Sequence, residues 1–224
     1  MSRMTVIRAA LMGATILAAP ALGGCASAYY STMEQFGVEK RQILVDRVVM
    51  AAESQEEAKE EFADALEAFK AVVDFDGGEL EKTYDKLKGE YEDADREADR
   101  VRTRVKDVQV VAKDLFKEWR KELDQYESAA LRRDSEDLLV RTEARYGELE
   151  AKMLAASASM EPVLKLFSER VLYLKHNLNA RAIAALGEES AQIEDDVEKL
   201  IANMERSIAE ADAFIAEMKG ETTS

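Results

Sequence analysis

The stretch LEKTYDKLKGEYEDADREADRVRTRVKDVQVVAKDLFKEW, Leu80 to Trp119, decides the fold. Its apolar positions are Leu80, Tyr84, Leu87, Tyr91, Ala94, Ala98, Val101, Val105, Val108, Ala112, Leu115 and Trp119, and they follow one another at alternating steps of four and three. Nearly every residue between them is polar. A repeat of 3.5 keeps one apolar seam turned towards a partner helix over the whole run. After Leu115 the steps become four and four, through Trp119 to Leu123, a stutter that locally relaxes the supercoil. The spacing predicts one helix from Glu79 to Tyr126, roughly 70 Å long at 1.5 Å per residue.

Such a helix needs partners of similar length, and the chain supplies them on both sides. Upstream, Ile43, Leu44, Val48, Ala52, Phe62, Leu66, Phe69 and Val73 mark a helix from about Thr32, with Gly37 able to kink its start. DFDGGEL, Asp74 to Leu80, ends it, because Gly77 and Gly78 tolerate the positive φ of a tight turn. Downstream, Tyr146, Leu149, Met153, Ala156, Met160, Val163 and Phe167 step by three and four, and Val171, Leu174 and Leu178 continue after a further stutter. Pro162 lies inside that run, where a bend is expected and not a break, since the register survives on both sides. The final helix carries Ile193, Val197, Leu200, Met204, Ile208, Ala211, Ile215 and Met218. SAALRRDSED, Ser128 to Asp137, reads as the second connection, with Ser128, Asp134 and Ser135 as candidate N-caps. Gly187 is the leading candidate for the third turn and HNLN, His176 to Asn179, the other. The expected fold is all-α: an elongated antiparallel up-down four-helix bundle, with a pair of coiled-coil hairpins as its variant. No alternating β-branched segment bounded by turns is present, so an α/β architecture is excluded.

Before the helices stands a different kind of sequence. Residues 1–24 hold Arg3 and Arg8, no acidic residue, and a short apolar run from Ala9 to Ala19. That is the layout of a secretory signal, and it is too short to span a bilayer, which needs roughly 20 apolar residues. LGGC, ending at Cys25, resembles a bacterial lipobox. The resemblance implies that Cys25, the only cysteine, is diacylglyceryl-modified and becomes the acylated N-terminus. A lone cysteine cannot form an internal disulfide. Ala26 follows it where an inner-membrane retention signal has Asp, so in a two-membrane bacterium the expected location is the periplasmic face of the outer membrane. The expected organisation is a signal at 1–24, an anchor and linker at 25–31, a single bundle at 32–219 and a tail at 220–224.

Loss of the signal removes two of the 31 basic residues and none of the 46 acidic ones, so the charge falls from −15 to −17. Such a surface repels phosphates and excludes nucleic-acid binding. His176 is the only histidine, and Tyr173 stands three positions before it, so the Glu-x-x-His pair of di-iron bundles is missing. No zinc set, calcium loop, phosphate-binding glycine loop or nucleophile elbow occurs. No metal, no cofactor and no catalytic residue is expected, and the chain is read as a non-enzyme.

Two polar segments stand out. LYLKHNLNARAI, Leu172 to Ile183, sets Lys175, His176, Asn177, Asn179 and Arg181 among aliphatic residues. It reads as a recognition patch at one end of the bundle, or as capping and hydrogen bonding at a helix bend. Arg132 and Arg133 stand beside Asp134, Glu136 and Asp137, and read as local ion pairs or as a partner contact. Trp119, in the seam register beside Phe116, reads as core. Val110 and Val111, flanking the seam, hint at a second apolar strip and a homo-oligomer.

Three stretches together, YYSTMEQFGVEKRQILVDRV, FDGGELEKTYDKLKGEYEDA and LRRDSEDLL with LKHNLNARAI, resemble a family of bacterial all-helical envelope proteins grouped as a domain of unknown function, many of them predicted lipoproteins. The resemblance runs from Tyr29 to about Ile215 and implies a secreted or lipid-anchored helical protein, with no catalytic residue to carry over. The expected function is therefore a non-enzymatic, lipid-anchored envelope protein whose acidic bundle contacts another envelope protein. The rival expectation is a periplasmic ligand-sensing bundle, with a pocket of at least ~300 Å³ near Leu172–Ile183.

Overall fold

The heptad seams translate directly into helices that bury them against one another. In the computed structural model, which describes residues 40–222, five α-helices follow in order: α1 (Lys40–Val73), α2 (Leu80–Glu122), α3 (Ala129–His176), α4 (Ala180–Gly187) and α5 (Ser190–Thr222). A short 3₁₀ turn, Leu123–Gln125, extends the end of α2. No strand occurs among the described residues. The predicted start of the first helix at Thr32 and the Gly37 kink lie outside them, as do Cys25 and the signal.

The four long helices form a ring in which α1 packs on α2 and α5, and α3 packs on the same two. Ion pairs fix the directions. Lys40 at the start of α1 pairs with Glu118 near the end of α2, and Lys70 at the end of α1 pairs with Glu194 at the start of α5. Arg145 early in α3 bonds Glu217 late in α5 at 3.0 Å. Neighbours are therefore antiparallel. The all-α bundle expected from the seams is what the chain adopts.

The turns show where local chemistry governs. Between α1 and α2, Gly77 has φ +148° and Gly78 φ +107°, a region that L side chains rarely adopt. Ser128 is the N-cap of α3, accepting from the Leu131 amide. The second connection is thus shorter than expected, and Arg132, Arg133, Asp134 and Ser135 lie inside α3. Helix α3 runs unbroken through Pro162 for 48 residues. At the third connection both sequence candidates operate. The helix stops at His176, Asn179 caps the extra helix α4, and α4 ends at Gly187. The expected single turn is therefore two breaks around one short helix, because Asn179 offers its side chain to two amides that would otherwise be unpaired.

The core is apolar along all four long helices. Phe62, Phe69, Phe167 and Phe214 are wholly buried, each contributing roughly 1.5–3 kcal/mol relative to exposure. At one end of the ring Phe69 of α1 meets Phe167 of α3 edge-on, with ring centroids 6.4 Å apart. At the other, Tyr146 lies edge-on to Phe116 at 5.5 Å and to Phe214 at 6.4 Å, joining α2, α3 and α5. Burial and the nearby Glu150 push the Tyr146 hydroxyl well above the usual tyrosine range.

Two expectations about the seam are corrected. On α5 the buried register passes through Ser207 and Phe214, while Ile208 and Ile215 are half-buried at its flank. The unbroken four-three alternation through Val197, Leu200, Met204, Ser207, Ala211, Phe214 and Met218 outranks the greasier neighbours. On α2, Val111 is a core residue at 1% exposure, and only Val110 faces outward. The two valines therefore do not form a second strip.

Candidate functional site

The end of the bundle at the α3–α4–α5 junction carries the segment singled out by its chemistry. The last turn of α3 presents Lys175 and His176, both exposed. The chain then leaves the helix at Asn177, whose amide donates to the Leu174 carbonyl at 3.0 Å and whose Nδ2 donates to the Tyr173 carbonyl at 2.9 Å. Asn179 is extended, and its Oδ1 accepts from the amides of Arg181 and Ala182, each at 3.1 Å. Ala182 and Leu186 bury the inner face of α4, and α4 rests on α1.

The two asparagines are thus spent on the backbone. Asn177 and Arg181, four apart, would be neighbours on a continuous helix, but the helix breaks between them. Outward-facing at the same junction are Lys175, His176 and Arg181, among Leu172 at 60%, Tyr173 at 40% and Leu178 at 37% exposure. From Val171 to Gly187 there is no acidic residue, in a chain with 46 of them.

Arg132 and Arg133 do not join this group. They lie at the start of α3, and Arg133 is about 60 Å from Lys175 along the helix. Arg132 Nη2 pairs with Asp124 at 3.2 Å and Arg133 Nε donates to the Ala129 carbonyl at 3.1 Å, both contacts local. Beside them Trp119 is half-buried, and its Nε1 donates to Ser135 Oγ at 2.9 Å. A shallow, open depression of about 310 Å³ lies at this α2–α3 end, with Glu122, Gln125 and Tyr126 on its wall among the described residues. It is at the opposite end from Leu172–Ile183, where a pocket was expected.

One grouping is invisible to linear motifs. Glu61 and Asp64 of α1 and Glu90 of α2 bring carboxylate oxygens within 4.8 Å of one another. Burial, then Asp64, Glu90 and Glu97, hold the Glu61 carboxyl above its usual range, against a lowering effect of Arg96. Three carboxylates at this spacing have the donor chemistry of a hard divalent cation site. They come together only because α1 and α2 fold back on each other.

The match to known families covers the same helices, from residue 29 to residue 218, 190 of 224 positions. The chain belongs to the family described as "Protein of unknown function (DUF2959)". No curated protein matches it. The DUF2959 region takes in all of α1 to α4 and α5 as far as Met218, so the bundle, both junctions and the carboxylate group lie within the family's shared domain.

Proposed function

We propose that this DUF2959 protein is a non-enzymatic, lipid-anchored component of the cell envelope whose acidic bundle serves as a structural or protein-interaction module. The observation that carries this reading is the distribution of polarity. Among the described residues the buried side chains classed as polar are only Ser54, Gln55, Thr142 and Ser207, and no acidic or basic side chain is buried. An interior that is apolar but for these four residues suits a strut. No helix among the described residues is long and apolar enough to cross a membrane, and the LGGC sequence ending at Cys25 supplies the anchor in this reading. Multiple acyl chains, at ~0.8 kcal/mol per buried methylene, hold in practice permanently.

The outer-membrane periplasmic location and the contact with another envelope protein belong to the same proposal. Lys175, His176 and Arg181, with Leu172 and Tyr173 beside them, are the surface assigned to that contact. Cys25→Ser should shift the protein from the membrane to the soluble fraction and leave a longer precursor; unchanged fractionation refutes the anchor. Photo-crosslinkers at Lys175 and Arg181 in intact cells should capture a discrete partner, lost in Lys175→Glu/Arg181→Glu.

A second reading, a ligand-sensing bundle, draws on the open depression beside Tyr126. Tyr126→Ala should then abolish any thermal shift that small molecules produce in the parent protein. Shifts that survive the substitution count against that site.

A further inference from the structure

Two polar residues occupy seam positions at the middle of the bundle. Gln55 stands near the midpoint of α1 and Ser207 near the midpoint of α5, and both have 0% exposure. Each keeps the heptad step with its neighbours: Ala51, Gln55, Ala58 on one helix and Met204, Ser207, Ala211 on the other. The two helices pack against each other. The Lys70–Glu194 pair sets their antiparallel register. Counting back from it along both helices places Gln55 opposite Ala209, half a turn from Ser207. Both residues thus belong to the same layer.

Neither Gln55 Nε2, Gln55 Oε1 nor Ser207 Oγ has a hydrogen-bond partner among the described residues. The other two buried polar side chains behave differently. Ser54 and Thr142 return their hydroxyls to carbonyls of their own helix, at 3.0 and 2.9 Å. A dry interior penalises an unpaired amide or hydroxyl, and native proteins rarely leave one so. Buried waters typically make about three hydrogen bonds. Three orphaned atoms in one layer match that number.

We infer that Gln55 and Ser207, bridged by one internal water, form a polar layer that holds α5 in a single register against α1. The need for it follows from the sequence pattern. A heptad seam is self-similar, so sliding α5 by seven residues, about 10.5 Å, again faces apolar residues with apolar ones. Small residues near the layer, Ala51, Ala58 and Ala211, do little to resist the slide. In a slipped register Gln55 and Ser207 would each face hydrocarbon, and the misfit is what makes one register unique, as a single buried polar residue does in coiled coils.

The test uses the full chain in a Cys25→Ser background, with spin labels at Glu57→Cys and Ala209→Cys on exposed faces of α1 and α5. Three core variants are compared with the parent: Gln55→Met, Ser207→Ala and the pair. Each single change strands the remaining partner and the water, so each is expected to lower Tm by ~2–4 °C. The pair removes the whole polar set and is expected to melt at or above the parent. Its label distances should split, with a second population displaced by about one heptad. Additive Tm changes, or a paired variant that keeps one sharp distance, would overturn the inference. Gln55→Asn, which keeps the amide, supplies the control for folding: it should retain the single distance.

Discussion

Trp119 and Ser135 are joined by a hydrogen bond of 2.9 Å from the indole Nε1 to the hydroxyl Oγ, and this bond ties the end of α2 to the second turn of α3. The indole is half-buried, so its ring contributes packing while its one polar atom finds a partner across the junction. Trp119→Phe keeps most of the ring and loses the donor. It should cost about 1 kcal/mol, seen as a Tm lower by ~2–4 °C. Ser135→Ala should give a similar loss, and the double variant no more than the larger single.

The two-glycine turn and the helical glycines should respond in opposite ways to the same change. Gly77 and Gly78 have positive φ, and Gly78→Ala should destabilise by about 1–2 kcal/mol although no atom stands within 4 Å of the new Cβ. Gly89 lies within α2 with equally open space around it, and Gly89→Ala should stabilise by about 0.5–1 kcal/mol. Chemical denaturation of the two variants reads both signs.

Pro162 interrupts the hydrogen-bond ladder of α3, since it has no amide proton to offer the Ala158 carbonyl. Its side chain faces outward, so alanine fits without repacking. Pro162→Ala should raise stability by about 1–3 kcal/mol. A lower Tm would show that the proline shapes a packing contact elsewhere on α3.

Glu61 gives a pH dependence of defined sign. Its carboxyl is held above its usual value of 4.5 by burial and by Asp64, Glu90 and Glu97. A raised folded pKa means that the ionised form opposes folding, and that stability falls as pH rises from the unfolded pKa through the folded one. Glu61→Gln should therefore melt higher than the parent at pH 7, and the two should converge below pH ~4. Equal melting at neutral pH would show that the three carboxylates are compensated. A divalent cation held among them would also close the gap, and chelation would reopen it.

Arg145 forms ion pairs with three carboxylates, Glu148 on its own helix and Glu210 and Glu217 on α5, the last two at 3.1 and 3.0 Å. Each partly exposed pair contributes roughly 0–1 kcal/mol. Arg145→Met should lower Tm at low ionic strength, and the difference should shrink at 1 M salt, where the screening length is ~3 Å.

Some of this molecule was legible in its residues alone. The alternating steps from Leu80 to Trp119, the two glycines at 77 and 78 and the Ser128 cap are local signals. Each acts through backbone conformation or through side chains within a turn or two, so the four long helices and their alternating directions follow from them. The bundle class followed too, since an apolar seam of that length must be covered by others like it. What escaped was set by competition between neighbours. Ile208 and Ile215 are greasier than Ser207 and Phe214 taken as a seam, yet the latter point inward. Helix rotation is chosen by the sum of all contacts across the ring, not by the hydropathy of one position. The break at Asn177–Asn179 in addition to the one at Gly187 likewise depended on α4 finding a surface on α1.

The sequence by itself determined that long amphipathic helices would bundle, and it marked Cys25 and the acid-free segment around Lys175. Only the tertiary structure decided that Lys175 and Arg132 stand at opposite ends, that Glu61, Asp64 and Glu90 meet, and that Gln55 and Ser207 share a buried layer. The reason is distance along the chain. Periodicity is a property of adjacent turns and can be read in one dimension. Side chains 30 to 150 residues apart become neighbours only once the register between helices is fixed, and that register is the outcome of packing the whole ring.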